Sequence, residues 1–557
     1  MLKYCEHERV RERILEYKRE HVHEHIHTKK NLGEKNRMKK FFNIAGPCHP
    51  DRHYMLPAQD RCKGIHRLID QEQYFVIHAA RQTGKTTLLL DLVRELDASE
   101  EYYALYCSLE SVQGITDPKE GIPAVIRTIA RNIRLSPVFE KFQFGDKSDA
   151  HDFNNALMES LSLFSAALDR PLVLFFDEAD CLSNGTLISF LRQIRDGYVN
   201  RVMIPFVHSV GLIGMRNIRD YRAQIRDDRE SLGSASPFNI VRKSLTLRNF
   251  TQEEIIALYS QHSAQTGQIF SSEVTDNIWH HTRGQPWLLN AVAAEISEEI
   301  LGADTDAMIL PEHADQAVQN IIFRRDTHID SLLERLKEER VRRIVEPVII
   351  GENTGFNETD DDYQYVLDIG LLEKADGVLR PSNPIYAEVM MRNLSSETQM
   401  AMDSAGYPPH AHAYVRDGRL DMRQLFTDFQ QFWRENSEIW TERYQYKEAA
   451  PHLVLTAFLQ RVINKGGQIT REPALGRRRL DLCIHYGGIR YPVELKLRHK
   501  AKTYEEGKKQ LADYMDKLGC EQGWLVVFDR RKSVSWKKKL FWKTCEWETA
   551  TIHTVGC

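Results

Sequence analysis

Short apolar runs alternate with helical patterns through the first 250 residues of the chain. Residues 75–77, 172–176 and 202–207 contain no charged side chain, and such short continuous runs indicate buried strands. A Leu-rich helical pattern follows the first run at residues 85–92. Strands that alternate with helices are typical of a parallel sheet covered by helices on both faces. The pattern therefore predicts an α/β fold for this part of the chain.

The pattern changes after residue 250. Residues 251–263 have the period of an amphipathic helix, and residues 340–395 have the pattern of short helices with a hairpin. Further on, an apolar helix is predicted at 453–464, two strands joined by a tight turn at 480–497, and another strand at 523–529. The sequence therefore predicts a mainly helical middle part and a second unit that contains both helices and strands.

Composition limits the classes of protein that are possible. A chain of 557 residues exceeds what one hydrophobic core normally holds, so we expect several domains. The formal net charge of −4 favours no class of partner, and the nine cysteines include no C-x-x-C pair, which favours reduced thiols. No apolar run reaches about 18 residues, and the charged N-terminus lacks the apolar core of a signal peptide. We therefore expect a cytoplasmic protein without a membrane partner.

The turn between the first strand and the first helix contains a G-K-T motif. In this context the backbone N–H groups of the turn surround phosphates, Lys85 reaches the β- and γ-phosphates, and the Thr86 hydroxyl ligates Mg²⁺. Ala79 stands where G-x-x-x-x-G-K-[ST] has its first glycine, which the loop tolerates if φ is negative there. The motif predicts a P-loop that binds ATP with Mg²⁺. The predicted binding residues are Ala79, Arg81, Gln82, Thr83, Gly84, Lys85, Thr86 and Thr87.

Two acids follow the apolar run at residues 172–176, where a ligand at the carboxyl edge of a parallel sheet would meet them. Asp177 is predicted to bind Mg²⁺ and its water shell, and Glu178 to orient or deprotonate the attacking water. Ser209, just after the run at 202–207, is predicted to contact the γ-phosphate. One of the arginines that follow is an arginine finger, or all of them form a solvated basic face. These arginines are Arg216, Arg219 and Arg222.

Several segments resemble the AAA-like P-loop ATPases of prokaryotes, which are related to the archaeal-type ATPases and the wider STAND group. The segments are HAARQTGKTT, FFDEAD, HSVGLIGMRNIRDY, SPFNI and TRGQPWLLN. The resemblance covers residues 41–395 and implies a P-loop ATPase core at 41–235, a helical lid at 236–335 and a winged helix at 336–398. It also implies that the G-Q-P-W turn lets the lid approach the nucleotide. The winged helix either reads DNA or acts as a rigid arm.

A second chemical site is predicted within the segment GRRRLDLCIHYGGIRYPVELKLRHK. Glu494 and Lys496 are two residues apart on a strand and share a face, and the hairpin brings Asp481 beside them. Two carboxylates and a lysine on one face would bind Mg²⁺ and activate water for phosphodiester cleavage. A surface hairpin with an ion pair between Glu494 and Lys496 is the alternative interpretation.

The α-β-β-α-β order of this region is similar to the PD-(D/E)XK nuclease superfamily, as are its D…E-x-K motif and the Gln510 and Tyr514 of the next helix. The resemblance implies a separate α/β restriction-endonuclease-like domain at 446–557. Leu480 stands where the motif has its proline, a variation that leaves the metal chemistry intact. The acids of the motif would hold Mg²⁺. The implied catalytic residues are Asp481, Glu494, Lys496 and Gln510.

Three further segments suggest no definite function. Residues 1–40 form a charged extension that we expect to be partly disordered, although its histidines at i,i+4 would suit a metal if it were helical. Residues 399–445 form a linker with an aromatic-rich connector helix that packs on the last domain. Residues 530–543 combine lysines with aromatic side chains, which either contact nucleic acid or form a basic edge whose rings pack inward.

Together these patterns predict a protein that binds and hydrolyses ATP and whose nucleotide state controls a Mg²⁺-dependent nuclease. DNA is favoured over RNA as the substrate, a homo-oligomer is compatible with the sequence, and the resemblances imply a role in prokaryotic defence. One alternative is an ATP-switched regulatory or DNA-binding protein whose nuclease-like domain is not catalytic. Another is an ATPase scaffold that does not bind nucleic acid.

Overall fold

The computed structural model describes most of the chain outside its N-terminal extension. The described ranges are 39–145, 153–214, 241–324, 326–349, 359–375, 377–404, 414–442, 450–463, 467–470, 482–498, 503–529, 531, 533–547 and 550–557. Among the helices in these ranges, none has both the length and the apolar character needed to cross a membrane.

A parallel sheet forms the centre of the N-terminal half. Within the described residues it has five strands in the order β2-β3-β4-β1-β5, and neighbouring strands pair in parallel. The strands are β1 (Tyr74–His78), β2 (Tyr103–Ser108), β3 (Leu172–Asp177), β4 (Ser209–Gly214) and β5 (Val241–Thr246). The carboxyl ends of all five therefore lie at the same edge, which is where an open α/β sheet binds its ligand.

Helices cover both faces of this sheet, as the apolar strands require. Two helices pack on one face around Ile77, Leu88 and Phe175, and three pack on the other face around Leu105, Ile126 and Phe176. The first two are α1 (Ile65–Asp70) and α2 (Lys85–Ala98), and the other three are α3 (Pro118–Leu135), α4 (Phe153–Ala167) and α5 (Asn184–Asn200). The predicted α/β fold with a parallel sheet is confirmed.

The strand predicted at residues 202–207 is wrong. Val202 and Met203 are 92% and 82% exposed in the turn after α5, and the strand itself begins at Ser209. The strand was missed because small residues occupy its centre. A Cβ added to Gly211 would lie 2.9 Å from the ring of Phe175 and 3.1 Å from that of Phe75, so only glycine fits between these rings.

Helices make up most of the part between residues 250 and 404. The helix predicted at 251–263 is confirmed as the first of them, and it begins with a capping box between Thr251 and Glu254. A short hairpin lies before the last helix. The elements are α6 (Gln252–Thr266), α7 (Ser272–Thr282), α8 (Pro286–Ala294), α9 (Pro311–Arg324), α10 (Thr327–Arg335), α11 (Glu339–Ile349), α12 (Asp361–Asp368), β6 (Leu372–Ala375), β7 (Val378–Pro381) and α13 (Pro384–Ser404).

A second sheet forms the centre of the C-terminal part. Within the described residues its six strands have the order β10-β11-β12-β13-β15-β14, with parallel pairing of β12 with β13 and of β13 with β15. The hairpin predicted at 480–497 is confirmed as β11 and β12. The elements are β8 (Val415–Arg416), β9 (Arg419–Leu420), α14 (Met422–Glu442), α15 (Ala450–Ile463), β10 (Gly467–Thr470), β11 (Leu482–Tyr486), β12 (Ile489–Leu497), α16 (Thr503–Leu518), β13 (Gln522–Phe528), α17 (Trp536–Lys539), β14 (Phe541–Trp547) and β15 (Ala550–Gly556).

One long helix links the two parts of the molecule. The α13 helix packs against α15, and the buried Oγ of Ser395 lies 3.3 Å from Oε1 of Gln460. Within 399–445, where a connector helix is predicted, the structure has the helix α14. Its Phe429 and Trp433 contact Phe528 of the second sheet, with ring centroids 6.1 and 5.2 Å apart. The helical part and the second sheet therefore share a continuous hydrophobic core.

Candidate functional site: a P-loop at the carboxyl edge of the first sheet

The P-loop connects the end of β1 to the start of α2. Positive φ angles fall at Gln82 (58°) and Gly84 (91°), whereas Ala79 has a negative φ, so its methyl group is accommodated. The hydroxyl of Thr83 donates to the carbonyl oxygen of Ala80 at 2.9 Å and closes the turn. The loop thus presents the amino end of α2, with its free N–H groups, at the carboxyl edge of the sheet.

Lys85 folds back over this loop. Its Nζ donates to the carbonyl oxygens of Ala79 and Ala80, both at 2.8 Å. Burial lowers the pKa of Lys85 to about 8, against the opposing effect of the carboxylates of Asp180, Asp177 and Glu178. A cation held by two neutral carbonyl groups is poorly compensated, and an anionic phosphate would be a better partner for it.

Thr86 and Asp177 meet at the same edge. The Thr86 hydroxyl donates to Oδ2 of Asp177 at 2.7 Å, and the hydroxyl of Tyr106 donates to the same oxygen at 3.2 Å. The backbone N–H of Glu178 donates to the other oxygen, Oδ1, at 3.0 Å. A hydroxyl and a carboxylate are the hard oxygen ligands that Mg²⁺ prefers, so this pair fits the ion.

Glu178 lies next to this pair in a strained backbone conformation. Its φ of 55° is in the left-handed region, which is uncommon for a residue with a side chain and is concentrated at functional sites. Its Oε2 accepts a hydrogen bond from the hydroxyl of Ser108 at 3.2 Å. Burial, followed by the charges of Glu110 and Asp177, raises the pKa of Glu178. A carboxylate with a raised pKa is better able to take a proton from water.

The second predicted site lies on the face of the second sheet that α16 covers. Nζ of Lys496 donates to Oε1 of Glu494 at 2.6 Å, and the carboxylate of Glu494 is buried. A Cβ on Gly507 of α16 would lie 3.2 Å from Cγ of Lys496, so the helix approaches the lysine closely. Gln510 follows three residues later on α16. Asp481 lies outside the described residues, one position before β11.

The basic C-terminal segment does not present free aromatic rings in its described part. Trp536 and Trp542 pack against the hydrophobic core, with Nζ of Lys539 4.9 Å above the first ring and the guanidinium of Arg423 4.4 Å above the second. Cations of the protein itself therefore cover both rings. This arrangement supports the interpretation of a basic edge whose aromatic side chains pack inward.

A comparison with protein families assigns the first two thirds of the chain. The model of a family described as "AAA-like domain" matches residues 54–392, which is more than half of the sequence. The chain belongs to this AAA-like domain family. A second family model, described as a domain of unknown function, matches residues 426–532.

Three proteins to which this AAA-like protein is similar have low sequence identity to it. An uncharacterised WD repeat-containing protein of Synechocystis sp. is 23% identical over 343 residues, which are 57% of this chain and 27% of that protein. The chain thus spans about a quarter of that relative. The Walker-type ATPase of Pyrococcus abyssi has a TM-score of 0.45 at 12% identity and covers 63% of this chain and 99% of its own. The Aeropyrum pernix Orc1 protein in complex with DNA has a TM-score of 0.33 at 13% identity, with 62% and 94% covered.

The helical part of the AAA-like domain lies directly over its P-loop. Nη1 of Arg81 donates to the hydroxyl of Ser331 on α10 at 2.7 Å. A Cβ on Gly370, in the turn between α12 and β6, would collide with the Cβ of Ala80. The side-chain amide of Gln285, in the G-Q-P-W turn, lies 3.4 Å from the carbonyl oxygen of Gln82. Three separate segments therefore contact the loop where nucleotide phosphates are expected.

The prediction that Ser209 contacts the γ-phosphate is wrong. Ser209 begins β4 instead of following it, and its hydroxyl donates to the carbonyl oxygen of Gln73 at 2.6 Å. It therefore lies at the amino edge of the sheet, opposite to the P-loop. A residue that contacts the γ-phosphate from this strand would follow Gly214, at the carboxyl end of β4. The chain there, including Arg216, Arg219 and Arg222, lies outside the described residues.

Sequence reasoning missed Tyr106 and Ser108, which contact the two acids. Both lie at the carboxyl end of β2, and Ser108 is in register with Asp177 on the neighbouring strand β3. The signal in the sequence is a polar residue that ends an apolar strand, as in the YALYCS segment. That signal identifies Tyr106 and Ser108 only when the strand order is known, because the strand order shows that β2 and β3 are neighbours.

Proposed function

We propose that the P-loop binds ATP together with Mg²⁺ and that the protein hydrolyses it. The observation that carries this proposal is the 2.7 Å hydrogen bond between Thr86 and Asp177, with Lys85 and Glu178 beside it at the carboxyl edge of the sheet. Thr86 and Asp177 would hold the ion. Bound Mg²⁺ would neutralise charge on the β- and γ-phosphates.

The residues around the phosphates have distinct roles in this proposal. Lys85 exchanges its two carbonyl partners for phosphate oxygens, which compensate its charge better. The N–H groups at the start of α2 donate to the phosphates, and the positive end of the helix dipole favours them. Glu178 accepts a proton from the attacking water or orients it, and its raised pKa suits the role of base.

Phosphate release and ATP binding by purified protein test this proposal. We expect Lys85→Ala to lose ATP binding and hydrolysis together. Glu178→Gln should retain ATP binding and hydrolyse at least about 100-fold more slowly, since it removes the base. Lys141→Ala and Glu101→Gln, exposed residues near the amino edge of the sheet, are the matched controls. Hydrolysis at the wild-type rate in Glu178→Gln would contradict the role of Glu178.

We propose as a second function that the C-terminal domain is a Mg²⁺-dependent nuclease, with DNA favoured over RNA. The ion pair between the buried Glu494 and the partly exposed Lys496 supports it, because a carboxylate and a lysine share one strand and one face. The order α15-β10-β11-β12-α16-β13 supports it as well, since it contains the α-β-β-α-β order of the PD-(D/E)XK resemblance, with β10 as one additional strand after the first helix. Asp481 and Glu494 would hold the ion, and Gln510 would assist from α16.

Cleavage of a DNA and RNA panel with Mg²⁺ or Mn²⁺ tests the nuclease proposal. We expect Asp481→Ala, Glu494→Gln and Lys496→Ala to abolish cleavage. Lys509→Ala, an exposed lysine on α16, should not change it. If the wild type binds nucleic acid without cutting it, the domain is a binding module and the protein is an ATP-switched regulator. If it does neither, the ATPase scaffold is the better account.

We further propose that nucleotide state is passed to the C-terminal domain through α10 and α13. Arg81 of the P-loop contacts Ser331 on α10, and on the same helix Nε2 of His328 lies 2.5 Å from the hydroxyl of Tyr386 on α13. Further along α13, Ser395 lies against Gln460 of α15 in the C-terminal domain. These contacts form a continuous physical connection from the P-loop to α15 of the C-terminal domain. The proposal also includes a homo-oligomeric state and a role in prokaryotic defence.

A further inference from the structure

Arg61 is a buried cation behind the P-loop. Arg61 is the last residue of the short helical turn Ala58–Arg61, and it is 5% exposed. Nη2 donates to the carbonyl oxygen of Thr83 at 3.0 Å, and Nη1 donates to that of Arg248 at 2.9 Å. The guanidinium also lies 4.4 Å above the ring of Phe250. Arg61 thus joins the P-loop to the segment that follows β5.

The charge of Arg61 has little compensation. The carboxylate that acts on it favourably, Glu254, is held by Arg248 through two hydrogen bonds of 2.7 Å. Within the described residues, Nε of Arg61 has no hydrogen-bond partner. Burial lowers the pKa of Arg61 to about 10. A buried charge that is not paired is costly, and an apolar side chain of similar size would serve a purely structural role as well.

The position of the Arg61 charge suggests that the phosphates of a bound nucleotide compensate it. The carbonyl of Thr83 belongs to the same peptide group as the N–H of Gly84, and in a trans peptide the two point in opposite directions. A cation bonded to the carbonyl polarises the peptide and makes its N–H a stronger donor. That N–H is part of the loop that surrounds phosphates. A Cβ on Gly84 would lie 3.0 Å from Nη2, so glycine permits this approach.

We propose that Arg61 is a positioning residue for nucleotide binding, which holds the Thr83–Gly84 peptide in place and adds positive charge behind the phosphates. The inference rests on the proposed binding of ATP at the P-loop. Arg61 does not touch the nucleotide in this account and acts through the peptide. Its contribution therefore depends on the phosphate groups and not on the nucleoside.

Affinities for ATP, ADP and adenosine, together with thermal unfolding without ligand, test the inference. We expect Arg61→Met to lower ATP affinity at least about tenfold, ADP affinity less, and adenosine affinity not at all, since one lost charge-assisted hydrogen bond has this order of effect. The midpoint temperature of thermal unfolding of Arg61→Met without ligand should stay the same or rise, because the cost of desolvating the buried guanidinium disappears. Arg61→Lys keeps the charge and should bind ATP with intermediate affinity.

Arg94→Met is the matched control, since Arg94 lies on α2, the helix that follows the P-loop, and its side chain pairs with Asp91 instead of reaching the loop. It should leave the ratio of ATP to adenosine affinity unchanged. Unchanged ATP affinity in Arg61→Met and Arg61→Lys would overturn the inference, as would an equal loss for all three ligands. If the wild type itself binds no ATP, the proposed function fails first, and the inference fails with it for that separate reason.

Discussion

At the scale of residues, the protonation of Lys85 gives the nucleotide site a pH dependence. The ligand-free protein holds this lysine with a pKa of about 8, and phosphate binding requires the charged form. As the pH rises through 8, the free protein loses the proton and must take it up again when ATP binds. We therefore predict that ATP affinity is constant below pH 7 and falls about tenfold between pH 7 and pH 9.

Titration calorimetry at pH 7 and pH 9, in buffers with different enthalpies of ionisation, measures both the affinity and the proton uptake. Lys85→Arg does not titrate in this range and serves as the control, so any affinity that it retains should be independent of pH. Equal wild-type affinity at the two pH values, with no proton uptake at pH 9, would show that Lys85 is already charged in the free protein at pH 9 and would contradict the prediction.

Residues with a fixed position in a motif were predictable, and residues that depend on long-range contacts were not. Lys85, Thr86 and Asp177 follow apolar strands, so their place at the carboxyl edge could be deduced from the pattern. Arg61 could not be deduced, because it lies in a segment that carries no motif, 22 positions before its partner Thr83. Ser209 was misplaced because exposed apolar side chains were interpreted as a strand.

At the scale of elements, the turn between α12 and β6 determines how the helical part contacts the P-loop. Gly370 has a φ of 76° and lies against Ala80, whereas Gly377, in the β6–β7 hairpin, has the same φ and no atom within 4 Å of an added Cβ. We predict that Gly377→Ala costs about 1–2 kcal/mol from backbone strain and leaves ATP turnover unchanged. Gly370→Ala adds a collision with the loop, so it should cost more and change turnover.

Thermal unfolding and ATP turnover of the two alanine variants make this comparison directly, because the backbone strain is common to both. The same loss of stability with unchanged turnover in both variants would mean that the turn does not influence the P-loop. A change of turnover in Gly370→Ala alone would identify the contact with Ala80 as functional.

The elements that could be predicted have clear periodicity, and for two that could not the physical cause is visible. The helix α6 and the hairpin of β11 and β12 follow clear patterns of apolar positions. Strand β4 does not, because glycine fits between two phenylalanine rings there. Strand β14 was missed as well. It lies at an edge of the second sheet, and its lysine and tryptophan side chains have the composition of a basic surface segment.

At the scale of the whole molecule, the connection between the two sheets is the central feature. The P-loop contacts α10 through Arg81, and α10 contacts α13 through His328 and Tyr386. Further along, α13 packs on α15, which lies beside the second sheet. A nucleotide that draws Arg81 or Lys85 toward its phosphates therefore alters contacts that continue to the C-terminal domain.

Hydrogen–deuterium exchange with and without ATP tests this connection most directly, and it does not depend on whether the C-terminal domain is a nuclease. We predict that ATP changes exchange in the P-loop, in α13 and in α15 of the wild type. In Lys85→Ala none of these segments should respond. If ATP protects the P-loop of the wild type while α13 and α15 exchange as before, the nucleotide site is not coupled to the C-terminal domain and the central claim is contradicted.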